Sequence, residues 1–289
     1  MTVRHRYLLV FLAFITSCRT AGSRTEPEPV IRGDSSLSPL SPQFSPRASW
    51  ILQPDERRHR YRSSTISSIV MDQPSAEPRD STTLMTNFTV SANRDSRGVL
   101  YSITVEGLSL TSASKPSPVV VSEFSSPISF TERLERGQYS LDPPADCNTQ
   151  VGIALSAIQR SLVLIPIQLQ RGQSWVDSTS TAACSGSIPV TLTALRHYRV
   201  MGEITNGTRK GLLLERVDKT SSVGEGSEGQ HRIQLRTEGT GNTQILIDPL
   251  TGALLKATGA NTTLVTVTTS GRSQRFTQTS REQLFKDND

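Results

Sequence analysis

The chain has 289 residues, with 31 Lys and Arg against 26 Asp and Glu, a formal net charge of +5 and 35% hydrophobic residues. So small an excess of positive charge gives no argument for nucleic acid as a partner. Three cysteines, none in a Cys-x-x-Cys arrangement, exclude thiol exchange as the expected activity.

The chain opens on Arg4, His5 and Arg6, with an apolar run over 7–15, two small residues and Cys18 after them. This is the layout of a signal peptide over 1–17, and the apolar run is too short for a membrane-spanning helix. The ending Ile15-Thr16-Ser17-Cys18 resembles the lipobox of bacterial lipoproteins. That resemblance implies removal of 1–17, a diacylglyceryl thioether on Cys18 and attachment to a membrane through it. Acyl chains anchor strongly because each buried methylene contributes about 0.8 kcal/mol. Arg19 stands where the family commonly carries the inner-membrane aspartate. The resemblance therefore implies the periplasmic side of the envelope, with the outer membrane favoured over the inner. Residues 18–48 read as the lipidated cysteine and a Pro/Ser-rich tether with too little apolar material for a core.

A first β-rich half is expected over 49–145. Strands are predicted over 59–71, 82–92 and 99–110, each with apolar residues on alternate positions. The turn between the last two lies at Arg94-Asp95-Ser96-Arg97-Gly98, and Lys115-Pro116-Ser117-Pro118 reads as a break. Residues 128–134 and 137–141 are short elements of undefined type. A helix and connector are expected over 146–170. The helix spans 149–163, capped by Asn148 or Thr149, with Val151, Ala154, Leu155, Ile158 and Leu162 on one face. A second β-rich half is expected over 171–283, with strands at 188–204, 211–218, 230–238, 243–248, 253–258, 262–270 and 273–281. In the first of these, Val190, Leu192, Ala194, Tyr198, Val200 and Ile204 form the apolar face. Thr191, Thr193, His197, Arg199 and Glu203 form the polar one. The Gly-rich run 224–229 reads as a hairpin tip, and 284–289 as an exposed tail. The fold class is mainly β: curved antiparallel sheet in two similar halves, with one short amphipathic helix. A closed barrel and a sandwich are the two forms it can take.

The segment LVLIPIQLQRGQSWVDS, the hairpin ILIDPLTGAL and the closing Thr/Arg-rich strands are similar to a loose group of bacterial exported β-proteins. More distantly they resemble the periplasmic lipoprotein-carrier and lipid-carrier folds. This implies a strongly curved antiparallel sheet closed by helices, and an apolar ligand inside it.

Cys147 and Cys184 are expected to form one disulfide in an oxidising compartment; two separate thiols are the alternative. His59, His197 and His231 are far apart and lack metal-ligand spacing, so neither a metal nor a cofactor is expected. Gly-x-Ser-x-Gly, His-Glu-x-x-His and phosphate-loop patterns do not occur. The sharpest charge cluster is Arg57, Arg58, Arg60, Tyr61 and Arg62. It is either a solvated strand edge or a patch that meets anionic head groups or a partner. Asn87, Asn206 and Asn261 head glycosylation-type triplets, read as strand and turn residues. The expected function is a non-enzymatic, membrane-anchored lipoprotein that binds, scaffolds or serves as an accessory subunit of an envelope or membrane protein complex. The alternative is a periplasmic carrier for lipid or another apolar ligand. An envelope hydrolase ranks below both.

Overall fold

The computed structural model describes residues 44–53, 56–71, 79–112, 115–120, 127–135, 137–142, 146–149, 165–206, 209–228 and 231–287, together with Gly152, Leu155, Ile158, Gln159 and Leu162. The expected signal peptide, Cys18 and the part of the expected tether up to residue 43 lie outside the described residues.

The strands are β1 (Ser49–Ile51), β2 (His59–Met71), β3 (Arg79–Asp95), β4 (Gly98–Ser112), β5 (Lys115–Val120), β6 (Ile128–Glu135), β7 (Gln138–Asp142), β8 (Gln168–Gln170), β9 (Ser174–Ser185), β10 (Ile188–Asn206), β11 (Arg209–Glu228), β12 (His231–Ile247), β13 (Leu254–Thr269) and β14 (Arg272–Lys286). β1 and β8 make a small sheet of their own. The rest run in the order β3-β2-β14-β13-β12-β11-β10-β9-β7-β6-β4-β5, and a further β3–β4 pairing closes an 11-strand barrel. Every pairing among the described strands is antiparallel except β7 with β9. β5 pairs with the far end of β4. The expected fold class therefore holds, in its closed-barrel form. Both β-rich stretches enter one wall, because β14 pairs with β2 and β7 with β9.

Local chemistry accounts for the turns. Asp95 Oδ1 accepts the Arg97 and Gly98 N–H groups at 2.8 and 3.0 Å, which folds the β3–β4 hairpin. Asp248 Oδ1 likewise accepts from Leu250 and Thr251 at 2.8 and 2.9 Å between β12 and β13.

Three apolar clusters hold the barrel. Tyr61, Phe88, Ile103, Val105 and Phe130 form one, into which Leu155, Ile158 and Leu162 of the helical segment pack. Gly152, Leu155, Ile158 and Gln159 are helical, and Thr149 Oγ1 accepts the Gly152 N–H at 3.3 Å, the N-cap expected of it. A second cluster joins Trp50 and Leu169 of the small sheet, with Leu52 just after β1, to Leu212, Leu214, Ile245 and Ile247. The third joins Ile188 and Val190 to Ile233, Leu235 and Val265 near the opposite strand ends.

Several expectations are corrected. The elements at 128–134 and 137–141 are strands β6 and β7, and Lys115-Pro116-Ser117-Pro118 lies within strand β5 rather than at a break. The pairs 230–238/243–248 and 253–258/262–270 are single strands, because their glycines mark close approach and not turns. A Cβ on Gly239 would lie 2.7 Å from Thr220 Oγ1 and 2.8 Å from Thr263 Oγ1. The run at 224–228 is also strand, not hairpin tip: a Cβ on Gly224 would lie 2.2 Å from the Pro189 carbonyl oxygen. The expected tail is strand through Lys286, and Leu284 is buried. A bulge between Val200 and Gly202 reverses the alternation of β10, so Glu203 turns inward and is buried.

Candidate functional site

Strand alternation assigns an inward row to each strand. One inward row is polar across eight neighbouring strands: Asp177, Arg196, Asp218, Gly241, Asn261, Ser280, Ser67 and Thr82, each opposite the next. The row forms a polar belt between the second and third apolar clusters. Along β12 the inward residues read Ile233 and Leu235 buried, Thr237 to Thr243 half-buried, then Ile245 and Ile247 buried.

The belt is hydrogen-bonded along its length. Arg196 Nη1 lies 3.5 Å from Asp177 Oδ2, and its Nε 4.0 Å from Asp218 Oδ1. Arg216 Nε donates to Asp218 Oδ2 at 3.0 Å and its Nη2 to Thr243 Oγ1 at 3.3 Å. Ser280 Oγ donates to Asn261 Oδ1 at 2.7 Å, and Ser222 and Thr237 share a bond of 2.7 Å. Two arginines and two aspartates are thus paired inside the wall, as buried charges require.

Next to the belt stand Glu132 on β6, Tyr101 on β4 and Tyr139 on β7. Tyr101 lies directly opposite Glu132, and its ring centroid is 6.4 Å from that of Tyr139. Glu132 is fully buried; its Oε1 accepts from Gln159 Nε2 of the helical segment at 2.6 Å. Burial pushes the Glu132 carboxyl up to about 7, against the lowering effect of the Gln159 bond. Burial also raises the Tyr101, Tyr139 and Tyr198 phenols, which remain protonated donors. Glu132, Asp177 and Arg196 all act electrostatically on Tyr139, so β6, β7, β9 and β10 bring these groups into one field.

Five buried polar atoms here have no hydrogen-bond partner among the described residues: Glu132 Oε2, Tyr139 Oη, Tyr198 Oη, Asp218 Oδ1 and Trp175 Nε1. Trp175 stacks on Tyr198 at 4.8 Å, their planes 5° apart. A buried polar atom left unpaired loses about 1–3 kcal/mol. Of the five, Asp218 Oδ1 lies 4.0 Å from Arg196 Nε, and the other four keep hydrogen-bonding capacity unused among the described residues. Phe88, Ile103, Val105 and Leu108 of β3 and β4 are buried in the first apolar cluster, which also holds Tyr101 and Tyr139, and Thr86 is buried on β3 beside them.

No family model matches the chain, and no curated protein matches it.

The residues singled out in the sequence fall in different places. Cys18 lies outside the described residues. Cys147 and Cys184 are bonded, and so tie the start of the helical segment to β9. Arg57, Arg58, Arg60 and Arg62 are exposed, whereas Tyr61 turns inward, is buried and stacks on Phe88 at 5.7 Å. Tyr61 therefore belongs to the core and not to the charged row. His197 is exposed on the outer wall, and His231 Nδ1 shares a 3.2 Å hydrogen bond with Ser270 Oγ. Asn261 points inward to the belt. Among the described residues no three His, Cys, Asp or Glu side chains gather as a metal site. Sequence reasoning missed the belt. Its one legible signal was Arg196, which shares the parity of the apolar face of β10.

Proposed function

We propose that the protein is a non-enzymatic, membrane-anchored binding lipoprotein of the bacterial envelope, and that its barrel carries a small amphipathic ligand. The observation that carries this reading is the group of buried polar atoms without a hydrogen-bond partner among the described residues at Glu132, Tyr139 and Tyr198, set beside the apolar cluster of Phe88, Ile103 and Val105. Such a lumen suits a molecule with one polar head and a hydrocarbon body. The reading refines the carrier of an apolar ligand: the ligand also needs a hydrogen-bonding head. Anchoring through Cys18, the periplasmic location and the preference for the outer membrane rest on the lipobox-like sequence. The wall itself supports a tethered body, because the outward row of β12 is Arg232, Gln234, Arg236 and Glu238, all exposed. A lipid-facing barrel wall needs an apolar band there. No helix of the described residues is long and apolar enough to cross a membrane.

The test is to purify the protein from its own membrane in mild detergent, then apply native mass spectrometry and organic extraction. A stoichiometric amphiphile is the expected result. An empty protein, recovered alone, overturns the reading.

The accessory-subunit reading is favoured by a different observation. A depression of about 390 Å³ on the outer wall is lined by Ser174, Val176, His197, Arg199, Glu215 and Val217. Val176 and Val217 flank His197 across β9, β10 and β11 and are 56% and 46% exposed. A membrane protein co-purifying in fixed ratio, and released by Val176→Asp, is the outcome this second reading predicts.

A further inference from the structure

The strand ends differ at the two rims of the barrel, and one rim combines three features. First, the described chain enters there. Phe44 bridges to Ile204 near the end of β10, and β1 then crosses to pair with β8. Second, that rim carries apolar tips. The Leu52 N–H donates to the Ile167 carbonyl at 2.8 Å, and the Gln53 N–H to the Leu250 carbonyl at 2.7 Å. These bonds bring Ile51, Ile167 and Leu250 together, and they are 67%, 41% and 64% exposed. Their neighbours Trp50, Leu52 and Leu169 alternate inward and are buried, so the outward apolar residues are not needed by the core. Third, the rim is cationic. Arg47, Arg58, Arg62, Arg94, Arg171 and Lys210 are all exposed around it. Among the described residues, Asp248 and Asp95 accept turn N–H groups. Glu203 accepts from the Trp50 indole at 3.2 Å and lies 3.9 Å from both Arg47 and Lys210. That leaves Arg58, Arg62, Arg94 and Arg171 as the cations without a carboxylate partner among the described residues. Glu135 and Asp287 are half-buried at the same strand ends. Glu56 is an exposed acid there.

We infer that this rim docks on an anionic phospholipid surface, with Ile51, Ile167 and Leu250 entering the head-group layer and the arginines meeting lipid phosphates. Exposed apolar tips inside a ring of cations are the two signals that together hold a domain on a charged bilayer. Docking would turn the opposite rim, with the third apolar cluster, toward the periplasm.

The inference rests on the envelope reading above but not on the ligand. It is tested with the mature chain, residues 18–289, carrying Cys18→Ser so that no acyl chain contributes. Co-sedimentation is measured with phosphatidylglycerol-rich vesicles and with pure phosphatidylcholine vesicles. Binding is expected to the anionic vesicles only, and to fall with salt. Arg58→Glu with Arg62→Glu should weaken it by about fivefold for each cation removed, and Ile51→Ser with Leu250→Ser should weaken it again. Arg232→Glu with Arg236→Glu, on the wall toward the other rim, should change it little. Absence of binding, equal binding to both vesicles, or an equal loss from the control pair overturns the inference. Labelled palmitate incorporation in cells, compared with Cys18→Ser, separately decides the anchor.

Discussion

The two long walls of the barrel are built from the same pleated strand and solve opposite problems. On β3, β4 and β6 most of the buried inward residues are apolar or aromatic, Phe88, Val99, Tyr101, Ile103, Val105, Phe130 and Leu134, with Thr86 and Glu132 the buried polar ones. On β12, β13, β14 and β2 the middle inward positions are Thr, Gly, Asn, Gln and Ser, and most are half-buried. The first wall supplies stability, because apolar burial stabilises by about 25 cal/mol per Å². The second forgoes much of that stabilisation. A wall of small hydroxyl and amide groups between two apolar clusters is an inefficient core and a serviceable lining. The lesson is that the strands carrying the least apolar material hold the polar belt, and the richest strands hold its support.

Substitutions on the two walls sharpen the contrast. Phe88→Ala removes an aromatic ring from the supporting wall and should cost about 3–5 kcal/mol. Arg196→Ala takes from the half-buried Asp177 its cation and leaves Asp218 with Arg216 alone. Removing one partner of a buried pair costs about 3–5 kcal/mol, and urea unfolding midpoints read both losses. Replacing Cys147 and Cys184 together by Ala frees the start of the helical segment from β9. The loss expected for a loop of this size is about 2–4 kcal/mol, seen as a lower melting temperature that reductant reproduces in the wild type.

A further effect depends on pH. The Glu132 carboxyl titrates at about 7 in the folded chain against an ordinary value of 4.5. The folded state therefore holds a proton that the unfolded state releases first. Its contribution is complete below about pH 4.5, declines as pH rises toward 7 and is lost above it. The loss amounts to no more than about 3 kcal/mol. Glu132→Gln should flatten that part of the stability–pH curve. A curve with the same slope in the variant would place the titrating group elsewhere. The smallest effect belongs to the lining wall. Asn261→Ala loses mainly its bond with Ser280 and should cost about 1 kcal/mol. A urea midpoint as low as that of Phe88→Ala would erase the distinction between the walls.

Much of the scaffold was legible and little of the site. The alternation in HRYRSSTISSIVM marks β2 at its observed bounds, and Asp95 and Asp248 with the glycines after them mark two of the turns. Closure was not legible, because β2 meets β14 across the whole chain and no local pattern encodes that pairing. Gly239, Gly241 and Gly259 read as punctuation, since a glycine required by close approach and one required by a turn are the same letter. Simple alternation puts Glu203 on the wrong face, because one bulge residue reverses the parity of the positions beyond it. Glu132 sits on a segment too short to type from its pattern. Arg196 alone breaks the apolar parity of its strand, and a charged residue on a buried face is the signal that leads to the belt.

The most direct test of the interior site is a titration of the purified, solvent-extracted protein with a fluorescent long-chain fatty acid, alongside Thr263→Trp. That substitution fills the lining wall from inside and leaves the outer surface unchanged. An interior site predicts saturable one-to-one binding by the wild type, with a change in Trp175 fluorescence, and loss of binding in the variant while its fold persists by circular dichroism. Binding that survives Thr263→Trp, or no binding by the wild type, would contradict it.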